Sequence, residues 1–419
     1  MQPKIVVAGG GFAGLEALFY LRYKLGSGAD LTLVSDQDYF LFKPNTIYIP
    51  FGEDPEKSKI PLARPVLKKR ITFWPGRAVG VDPYSRKLLL EHAELPYDYL
   101  VLATGASMRA QEVPGLCEYA CTLWTPEEML RLRHQLQQVV ERAGEGRKQD
   151  ILFVVPPNNK CSGPLYELVM MIETWLQRKK VREWVQITWA TYESSYIQAF
   201  GPRLHTVVSE EFADRGVEGH TGCLVSEITP DRAIFHDGSS FHFDLLVSFP
   251  PYAAGQAYAD LPVDSRGFLK VEPDSRRVKG QETIFAVGDA SDFPIKQAFL
   301  ALLQGDAAAE SIAAEIQRRV PAEKMKFEPM SMCVMEEMNK ATFAQVPLRY
   351  TDDPERPVVV DDEDTEHYKV GVSPLWRGGK KILGYYLPWR FSNGEPFHAG
   401  FAWDLMDMGL KVMSKVMAD

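Results

Sequence analysis

The stretch IVVAGGGFAG, residues 5–14, decides how the rest of this sequence is interpreted. Its first four residues predict a short buried strand, and the LEAL that follows, residues 15–18, predicts the start of a helix. Between them stands G-x-G-x-x-G, in which Gly9 permits a tight turn, Gly11 lets the backbone approach a pyrophosphate and Gly14 lets the helix pack closely. The pattern therefore predicts a dinucleotide site at the N-terminus of that helix, where the helix dipole favours phosphate.

An acidic residue further along supports this interpretation. Residues 31–34 (LTLV) predict a second strand, and Asp36 follows it near the position of the acid that bonds a ribose hydroxyl. A glycine-rich turn without a ligand is the alternative. The strand, the helix and the acid occur together, and this combination favours dinucleotide binding.

Length and composition restrict the class of protein. A chain of 419 residues exceeds what one core usually supports, so we expect two or three domains. The net charge of −9 argues against nucleic acid as the main partner, because a phosphate backbone requires a basic face. The 5 cysteines are too few and too scattered for a disulfide-stapled scaffold. No export signal is recognisable in the first residues, so we expect the protein in the cytoplasm.

Two further segments end buried strands with short motifs. Residues 97–106 (YDYLVLATGA) contain Ala-Thr-Gly, and residues 283–290 (TIFAVGDA) contain Gly-Asp, which alone is also typical of a hairpin turn. In this order the three motifs resemble those of the two-dinucleotide-fold flavoprotein disulfide reductases. That resemblance implies FAD as the cofactor, with Asp289 near its ribityl–phosphate region. The residues implied to hold FAD are Gly9, Gly11, Gly14, Asp36, Thr104, Gly105, Gly288 and Asp289.

The second glycine-rich turn, which members using NAD(P)H carry, is degenerate here. Residues 150–155 (DILFVV) predict the equivalent strand, but Pro156 and Pro157 stand where glycines are expected. Proline has no N–H group and cannot contribute to a backbone cradle for a pyrophosphate. We therefore expect a Rossmann-like second domain that has lost its nicotinamide site, and an electron donor smaller than NADH.

A cysteine occupies this degenerate turn. Cys161 precedes a predicted helix that begins near residue 163, and a helix N-terminus lowers the pKa of a thiol and favours the thiolate. An inert buried cysteine is the alternative, since most free cysteines are of that kind. The location at a functional turn favours a redox role.

Residues 161–167 read CSGPLYE and resemble the C-x-G-P-x-Y-E segment of sulfide:quinone oxidoreductases and of the flavocytochrome c sulfide dehydrogenase flavoprotein. In that family a partner cysteine follows the second FAD segment, and Cys333 occupies that place. Residues 246–255 (LVSFPPYAAG) resemble the family's Pro-Pro segment. The resemblance covers about the first 340 residues. It implies that Cys161 and Cys333 form a redox disulfide, or a sulfur-bridged pair, beside the flavin.

The resemblance also implies roles for three other residues. Lys296 matches a lysine near the pyrimidine edge of the flavin, and Cys121 matches a third cysteine found in many members. A structural cysteine between domains is the alternative for Cys121, and we expect Cys117 and Cys223 to be structural. Glu167, at the end of the first cysteine segment, is a candidate for proton handling, with a helix-surface carboxylate as the alternative.

The predicted fold class is α/β, with two Rossmann-like dinucleotide-binding domains and a C-terminal membrane-interface region. We expect residues 1–115 and 279–325 to form the FAD-binding domain and residues 116–278 to form the second domain. Residues 326–419 form the C-terminal region. No metal site is predicted, because the acidic residues 361–364 lack a ligand-spaced pattern and are typical of a solvated loop.

The chain ends in an amphipathic stretch, residues 401–417. With the aromatic residues 385–391 upstream, such a helix is typical of the lipid interface of a peripheral membrane protein. Docking onto the core or onto a partner subunit of a homo-oligomer is the alternative. The predicted apolar side carries Leu405, Met406, Val412, Met413, Val416 and Met417, and the polar side carries Asp404, Asp407, Lys411 and Lys415.

The sequence thus predicts an FAD-dependent enzyme on the cytoplasmic side of a membrane that oxidises sulfide, or a small sulfur species, and reduces quinone. Type II NADH:quinone oxidoreductase is one alternative, and the degenerate second motif argues against it. A flavocytochrome c-like enzyme is another. A non-catalytic FAD-binding assembly or regulatory subunit stays open, because histidines common in the family are missing near Cys161 and in residues 196–201.

Overall fold

The computed structural model describes residues 2–418, apart from the side chains of Lys324 and Val416. The helices are α1 (Phe12–Leu25), α2 (Ala63–Lys68), α3 (Leu116–Tyr119), α4 (Pro126–Gly144), α5 (Gly163–Arg178), α6 (Gly201–Arg215), α7 (Ala298–Ile316), α8 (Pro374–Ser392) and α9 (Phe401–Met417). The strands of the first half are β1 (Lys4–Ala8), β2 (Asp30–Ser35), β3 (Tyr39–Leu41), β4 (Lys59–Pro61), β5 (Thr72–Pro75), β6 (Ala78–Asp82), β7 (Lys87–Leu90), β8 (Glu94–Pro96), β9 (Tyr99–Leu102), β10 (Ala106–Met108), β11 (Ala120–Cys121), β12 (Gln149–Val155) and β13 (Val185–Thr191). The remaining strands are β14 (Val217–His220), β15 (Val225–Ile228), β16 (Arg232–Phe235), β17 (Ser240–His242), β18 (Leu245–Ser248), β19 (Tyr252–Ala254), β20 (Ile284–Ala286), β21 (Met330–Glu336), β22 (Ala341–Tyr350), β23 (Val358–Val360) and β24 (Lys369–Ser373).

The first sheet is parallel and has the strand order β20-β9-β1-β2-β5. The apolar residues of β1 are buried, as expected for a parallel strand covered on both faces. Helix α1 follows β1 directly and packs against α7. This is the strand–glycine turn–helix unit that the sequence predicts.

A second parallel sheet has the order β11-β18-β12-β13-β14. Helix α4 is N-capped by Thr125, whose side chain accepts a hydrogen bond from the Glu128 N–H at 3.2 Å as part of a capping box. The two parallel sheets confirm the predicted fold class. The predicted domain boundaries remain a prediction.

The chain leaves the first sheet after β9 and returns to it at β20, where Phe285 pairs with Val101. Its last part forms an antiparallel sheet in which β22 pairs with β21, β23 and β24. Helices α8 and α9 follow this sheet. Within residues 2–418 no helix combines the length and the hydropathy needed to cross a bilayer.

Helix α9 differs from its predicted pattern because its apolar arc is divided. Trp403 and Met406 pack against the core around α1, and Met413 and Met417 pack against the antiparallel sheet. The outward half of the arc is exposed by 50% to 76%. The sequence leaves docking and an exposed apolar side as alternatives for this helix, and the structure shows half of the arc docked and half exposed. The side chain of Val416 lies outside the described part of the chain. The exposed residues are Phe401, Leu405, Met408 and Val412.

Candidate active site

A cavity of about 820 Å³ lies at the carboxyl ends of the strands of the first sheet. In an open parallel sheet this edge is where ligands bind, because the loops that follow the strands converge there. The lining includes most of the residues that the sequence selects for a dinucleotide. These are Gly9, Gly11, Asp36, Thr104, Gly105, Gly288 and Asp289.

The glycines of the first motif have distinct reasons for lacking a side chain. Gly9 has a φ of +122°, and a Cβ there would lie 2.1 Å from the Ala103 carbonyl oxygen. A Cβ on Gly14 would lie 2.0 Å from the Gly9 carbonyl oxygen, so Gly14 sets the contact between α1 and the turn. A Cβ on Gly11 would meet no described atom within 4 Å and would occupy open space beside the turn. The turn therefore fits a ligand that approaches the backbone closely at Gly11.

Two lysines supply positive charge to the cavity. Lys296 is buried, and its Nζ donates a hydrogen bond to the Ser291 carbonyl oxygen at 2.5 Å. Burial lowers the pKa of Lys296 to about 7. Lys43 also lines the cavity, its Nζ lies 2.8 Å from the ring centroid of Trp124, and burial lowers its pKa to about 7. Burial raises the pKa of Asp289, and both lysines oppose that rise.

Cys161 and Cys333 line the same cavity and are free thiols. Cys161 lies in the turn before α5, and Cys333 lies on β21 of the antiparallel sheet. Asn159 shapes this turn: its Oδ1 accepts the Cys161 N–H at 2.9 Å, and its Nδ2 donates to the Phe249 carbonyl oxygen at 2.7 Å. The Asn159 side chain therefore fixes the conformation of this turn, in which prolines stand where glycines are expected.

The expected low pKa of the Cys161 thiol is wrong in direction. Burial raises the pKa of Cys161, and the neighbouring Cys333 and Asp289 raise it further, while the Gly163 N–H lowers it. Burial likewise raises the pKa of Cys333 to about 12; Glu167 adds to this rise and a nearby lysine opposes it. Desolvation of the thiolate outweighs the helix N-terminus, so both cysteines are thiols at neutral pH when reduced.

The nearby lysine is Lys380 of α8, which forms an ion pair with Glu167. The Glu167 carboxylate also accepts the Glu336 N–H at 2.6 Å, and Lys380 Nζ donates to the Val334 carbonyl oxygen at 2.9 Å. Burial raises the pKa of Glu167, and Lys380 opposes that rise. Glu167 is 7% exposed, so the alternative of a helix-surface carboxylate does not hold.

In a Rossmann fold, an acidic residue just after the second strand of the βαβ unit binds a ribose hydroxyl of the dinucleotide. The equivalent strand in the second sheet is β13. Glu193 follows β13, but its carboxylate accepts hydrogen bonds from Ser162 Oγ at 3.1 Å and from the Tyr166 hydroxyl at 3.2 Å. It also accepts the Gln198 N–H at 3.1 Å. The chain's own donors occupy this carboxylate, which agrees with the predicted loss of the nicotinamide site.

Cys121 is not brought to the cavity. It lies on β11, is buried in the core of the second sheet and does not line the described cavity. Burial raises the pKa of Cys121 to about 11. Cys117 is exposed and Cys223 is half-buried. The placement of Cys121 favours the structural alternative.

The C-terminal region closes one side of the cavity. Glu16 of α1 accepts backbone N–H groups of Phe397 at 2.6 Å and His398 at 3.0 Å, and Phe397 lines the cavity. His398 Nδ1 lies 2.5 Å from Asp306 Oδ2, and burial raises the pKa of Asp306 to about 8. This buried cluster fixes residues 397–398 between the helices of the first sheet.

Three residues at the site are not predicted as site residues from the sequence. Lys380 lies far from every motif, and Lys43 follows an aromatic run that has no known signature. Asn159 stands inside the degenerate turn, so a polar residue just before a candidate redox cysteine is the one signal that could identify it.

Comparison with known proteins supports this description. Residues 3–154 match the family model described as pyridine nucleotide-disulphide oxidoreductase. The X-ray structure of the sulfide:quinone oxidoreductase from the hyperthermophilic bacterium Aquifex aeolicus superposes with a TM-score of 0.82. That match has 21% identity and covers 98% of this chain and 96% of the other. The resemblance predicted from the sequence is confirmed.

Two curated relatives differ in their named electron donors. The sulfide-quinone reductase of Aquifex aeolicus (strain VF5) is 29% identical over 243 residues, covering 57% of this chain and 55% of that protein. The mitochondrial external alternative NAD(P)H-ubiquinone oxidoreductase B1 of Solanum tuberosum is 26% identical over 330 residues, covering 69% of this chain and 55% of that protein. This chain therefore matches about half the length of these relatives, 55% in each case.

Proposed function

We propose that this protein is an FAD-dependent sulfide:quinone oxidoreductase that works at a membrane surface. The observation that carries the proposal is that Cys161 and Cys333, from separate parts of the chain, line the cavity that also contains the turn of Gly9 and Gly11. Two cysteines beside a dinucleotide site suit electron transfer from sulfur to a redox cofactor. The match to a sulfide-quinone reductase agrees with this assignment.

The glycine turn fits the pyrophosphate of FAD. Gly11 offers open space beside the N-terminus of α1, and Asp36 on the cavity rim is placed for a ribose hydroxyl. When bound, FAD supplies a two-electron acceptor for sulfur and a two-electron donor for quinone. Lys296 and Lys43, each with a pKa lowered to about 7, hold or release a proton at Nζ and place positive charge beside the cofactor.

Hydrosulfide is the proposed substrate of the cysteine pair. Its attack on a Cys161–Cys333 disulfide breaks the S–S bond, forms a new S–S bond to the incoming sulfur and releases one thiolate. Lys380 favours a thiolate at Cys333 although burial and Glu167 oppose it, and on the strength of this nearby cation we propose Cys333 as the leaving thiolate and Cys161 as the carrier of the persulfide. Two electrons must then leave the sulfur atoms before the cycle can repeat, and these are the electrons that pass to quinone.

Quinone needs protons as well as electrons. Glu167 and Lys380 form a buried pair on the cavity wall; burial raises the pKa of Glu167 and Lys380 opposes that rise, so the carboxyl and the amine can each hold a proton beside the cavity. The proposed role of this pair is to deliver protons to the reduced quinone. Leu383 and Gly384, one turn beyond Lys380 on α8, also line the cavity and give it an apolar side.

The proposed membrane contact is the apolar surface of α8 and α9. Singly exposed apolar residues are ordinary, but their concentration on two consecutive helices is typical of an interface with lipid. Because α8 lines the cavity on its other side, quinone could pass from the bilayer to the cavity along this helix. We place the contact on the cytoplasmic face of the membrane. The exposed residues are Leu375, Ile382, Tyr385 and Trp389 on α8 and Phe401, Leu405, Met408 and Val412 on α9.

Anaerobic titration of the FAD-loaded protein tests the proposal. We expect sulfide to bleach the flavin and a short-chain quinone to restore its colour. The similarity to a plant NAD(P)H-ubiquinone oxidoreductase makes an NADH-oxidising enzyme the second candidate. Bleaching by NADH but not by sulfide would establish that candidate instead. A flavin that neither donor bleaches would indicate a non-catalytic subunit.

A further inference from the structure

A second cavity, of about 400 Å³, lies at the opposite edge of the first sheet from the glycine turn. Gln2 and Asp30, which line it, stand at the amino ends of β1 and β2. The rest of its lining is rich in cations. The charged residues around this basic cavity are Arg22, Lys68, Lys69 and Arg70, against the single carboxylate of Asp30.

Part of this positive charge is not neutralised by the protein. Arg22 Nη2 donates to the Arg70 carbonyl oxygen at 3.0 Å, but Arg22 Nε is buried and has no hydrogen-bond partner among the described residues. Lys68 and Arg70 are exposed, and neither forms an ion pair within the described part of the chain. Lys69 pairs with Glu395. Two cationic side chains, Lys68 and Arg70, are therefore available to an external anion, because the Arg22 guanidinium is held by backbone carbonyl oxygens.

The basic cavity borders the apolar surface of α8. Lys68 Nζ donates to Asn393 Oδ1 at 3.2 Å, and Asn393 Nδ2 donates to the Trp389 carbonyl oxygen at 2.9 Å. Trp389 is 42% exposed, and Leu67, beside Lys68 on α2, is 79% exposed. Unpaired cations and exposed apolar side chains thus meet where α2 contacts the end of α8.

We propose that the basic cavity binds the phosphate headgroup of an anionic phospholipid in the membrane to which α8 and α9 attach. This inference rests on the proposed membrane attachment. A protein of net charge −9 is repelled by an anionic bilayer unless a local basic face is turned toward it. Each basic side chain that reaches such a surface strengthens binding roughly fivefold. The basic cavity therefore sets both the lipid preference and the orientation of α8.

Co-sedimentation of the FAD-loaded full chain with vesicles tests the inference. One vesicle is pure phosphatidylcholine and the other also contains phosphatidylglycerol. The variant Lys68→Glu/Arg70→Glu is compared with Lys148→Glu/Lys179→Glu, which changes the net charge equally at exposed lysines of the second sheet's domain. We expect phosphatidylglycerol to strengthen binding of the wild type, and the first variant to lose at least about tenfold of that gain. The control variant should keep it.

Several results would overturn the inference. Equal binding of the wild type to both vesicles would leave the membrane attachment intact and remove the lipid preference. Equal losses in both variants would show a general charge effect. Release from phosphatidylglycerol vesicles by millimolar inorganic phosphate at constant ionic strength would show a site for free anions. If the wild type binds neither vesicle, the proposed attachment itself fails.

The folding of the variants needs its own control. The Arg70 side chain is exposed, so Arg70→Ala should leave the thermal unfolding of the protein unchanged. This single variant should still lose about fivefold in binding to phosphatidylglycerol vesicles. Unchanged binding of a folded Arg70→Ala protein would contradict the proposal.

Discussion

Glu167 of α5 and Lys380 of α8 form a buried ion pair beside Cys333. The carboxylate belongs to the segment that carries the first cysteine, and the lysine belongs to the C-terminal region. The C-terminal region is therefore part of the cavity wall in addition to being the proposed membrane contact. Any change that displaces α8 changes the electrostatics of the cysteine pair.

Replacing Lys380 should slow the sulfur chemistry. In Lys380→Met the cation that lowers the pKa of Cys333 is lost, so the Cys333 thiolate becomes a poorer leaving group. We expect sulfide-dependent bleaching to slow by roughly threefold for each unit by which the pKa of the leaving thiol rises. Stopped-flow absorbance measures this rate. Lys381→Met, at the exposed next residue, is the matched control, and equal rates in the two variants would contradict the role of Lys380.

Removing either cysteine should separate cofactor binding from activity. Cys161→Ser and Cys333→Ser each lack the disulfide, so sulfide should no longer bleach the flavin. FAD should remain bound, because the glycine turn contains neither cysteine. Cys117→Ser, at an exposed cysteine, should behave as the wild type. A double variant of the pair with full sulfide activity would refute the mechanism.

Substituting Gly14 should lower the stability of the protein, whereas substituting Gly11 should weaken FAD binding. Gly14→Ala introduces a Cβ that overlaps the Gly9 carbonyl oxygen, so the FAD-free protein should lose about 1–3 kcal/mol of unfolding free energy. Gly11→Ala places its Cβ in open space, so the FAD-free protein should unfold like the wild type while FAD binds more weakly. Thermal unfolding and FAD titration measure the two effects. Equal destabilisation by both substitutions would contradict the distinction.

The reactivity of Cys333 should depend steeply on pH. Its folded-state pKa is raised to about 12, so the thiolate fraction of the reduced protein grows tenfold with each pH unit below that value. The alkylation rate should therefore still be rising at roughly pH 10, where a model thiol with a pKa of about 8.5 has levelled off. Peptide mass spectrometry after timed iodoacetamide treatment measures the rate. Levelling near the ordinary thiol pKa would mean that burial does not control Cys333.

The features that the sequence predicts correctly are those set by a short stretch of neighbouring residues. The turn at Gly9 and Gly14 and the motif containing Asp289 directly follow buried strands, so their place at the edge of the first sheet follows from local sequence. The ion pair between Glu167 and Lys380 joins segments with no shared motif, and only tertiary packing brings them together. The pKa of Cys161 is mispredicted for the same reason, because burial by distant elements outweighs the local helix terminus.

The divided arc of α9 shows another limit of pattern analysis. Helical spacing identifies Leu405 and Met406 as apolar neighbours, but it does not reveal which of them docks. Met406 packs against the core around α1, while Leu405 is exposed. A wide apolar arc is compatible with docking on one side and with a second partner on the other.

The pairing of Phe285 with Val101 bears on how the chain is made. The last strand of the second sheet, β18, precedes β20 in the sequence, so the second sheet is fully synthesised before the first sheet receives its final strand. At a synthesis rate of about 5–20 residues per second, the roughly 180 residues between β9 and β20 take roughly 10–35 seconds to make, so β9 leaves the ribosome well before β20 exists. During that interval β9 is an unpaired edge open to wrong partners. The second sheet, although it begins later in the sequence, can therefore complete its pairing before the first sheet does.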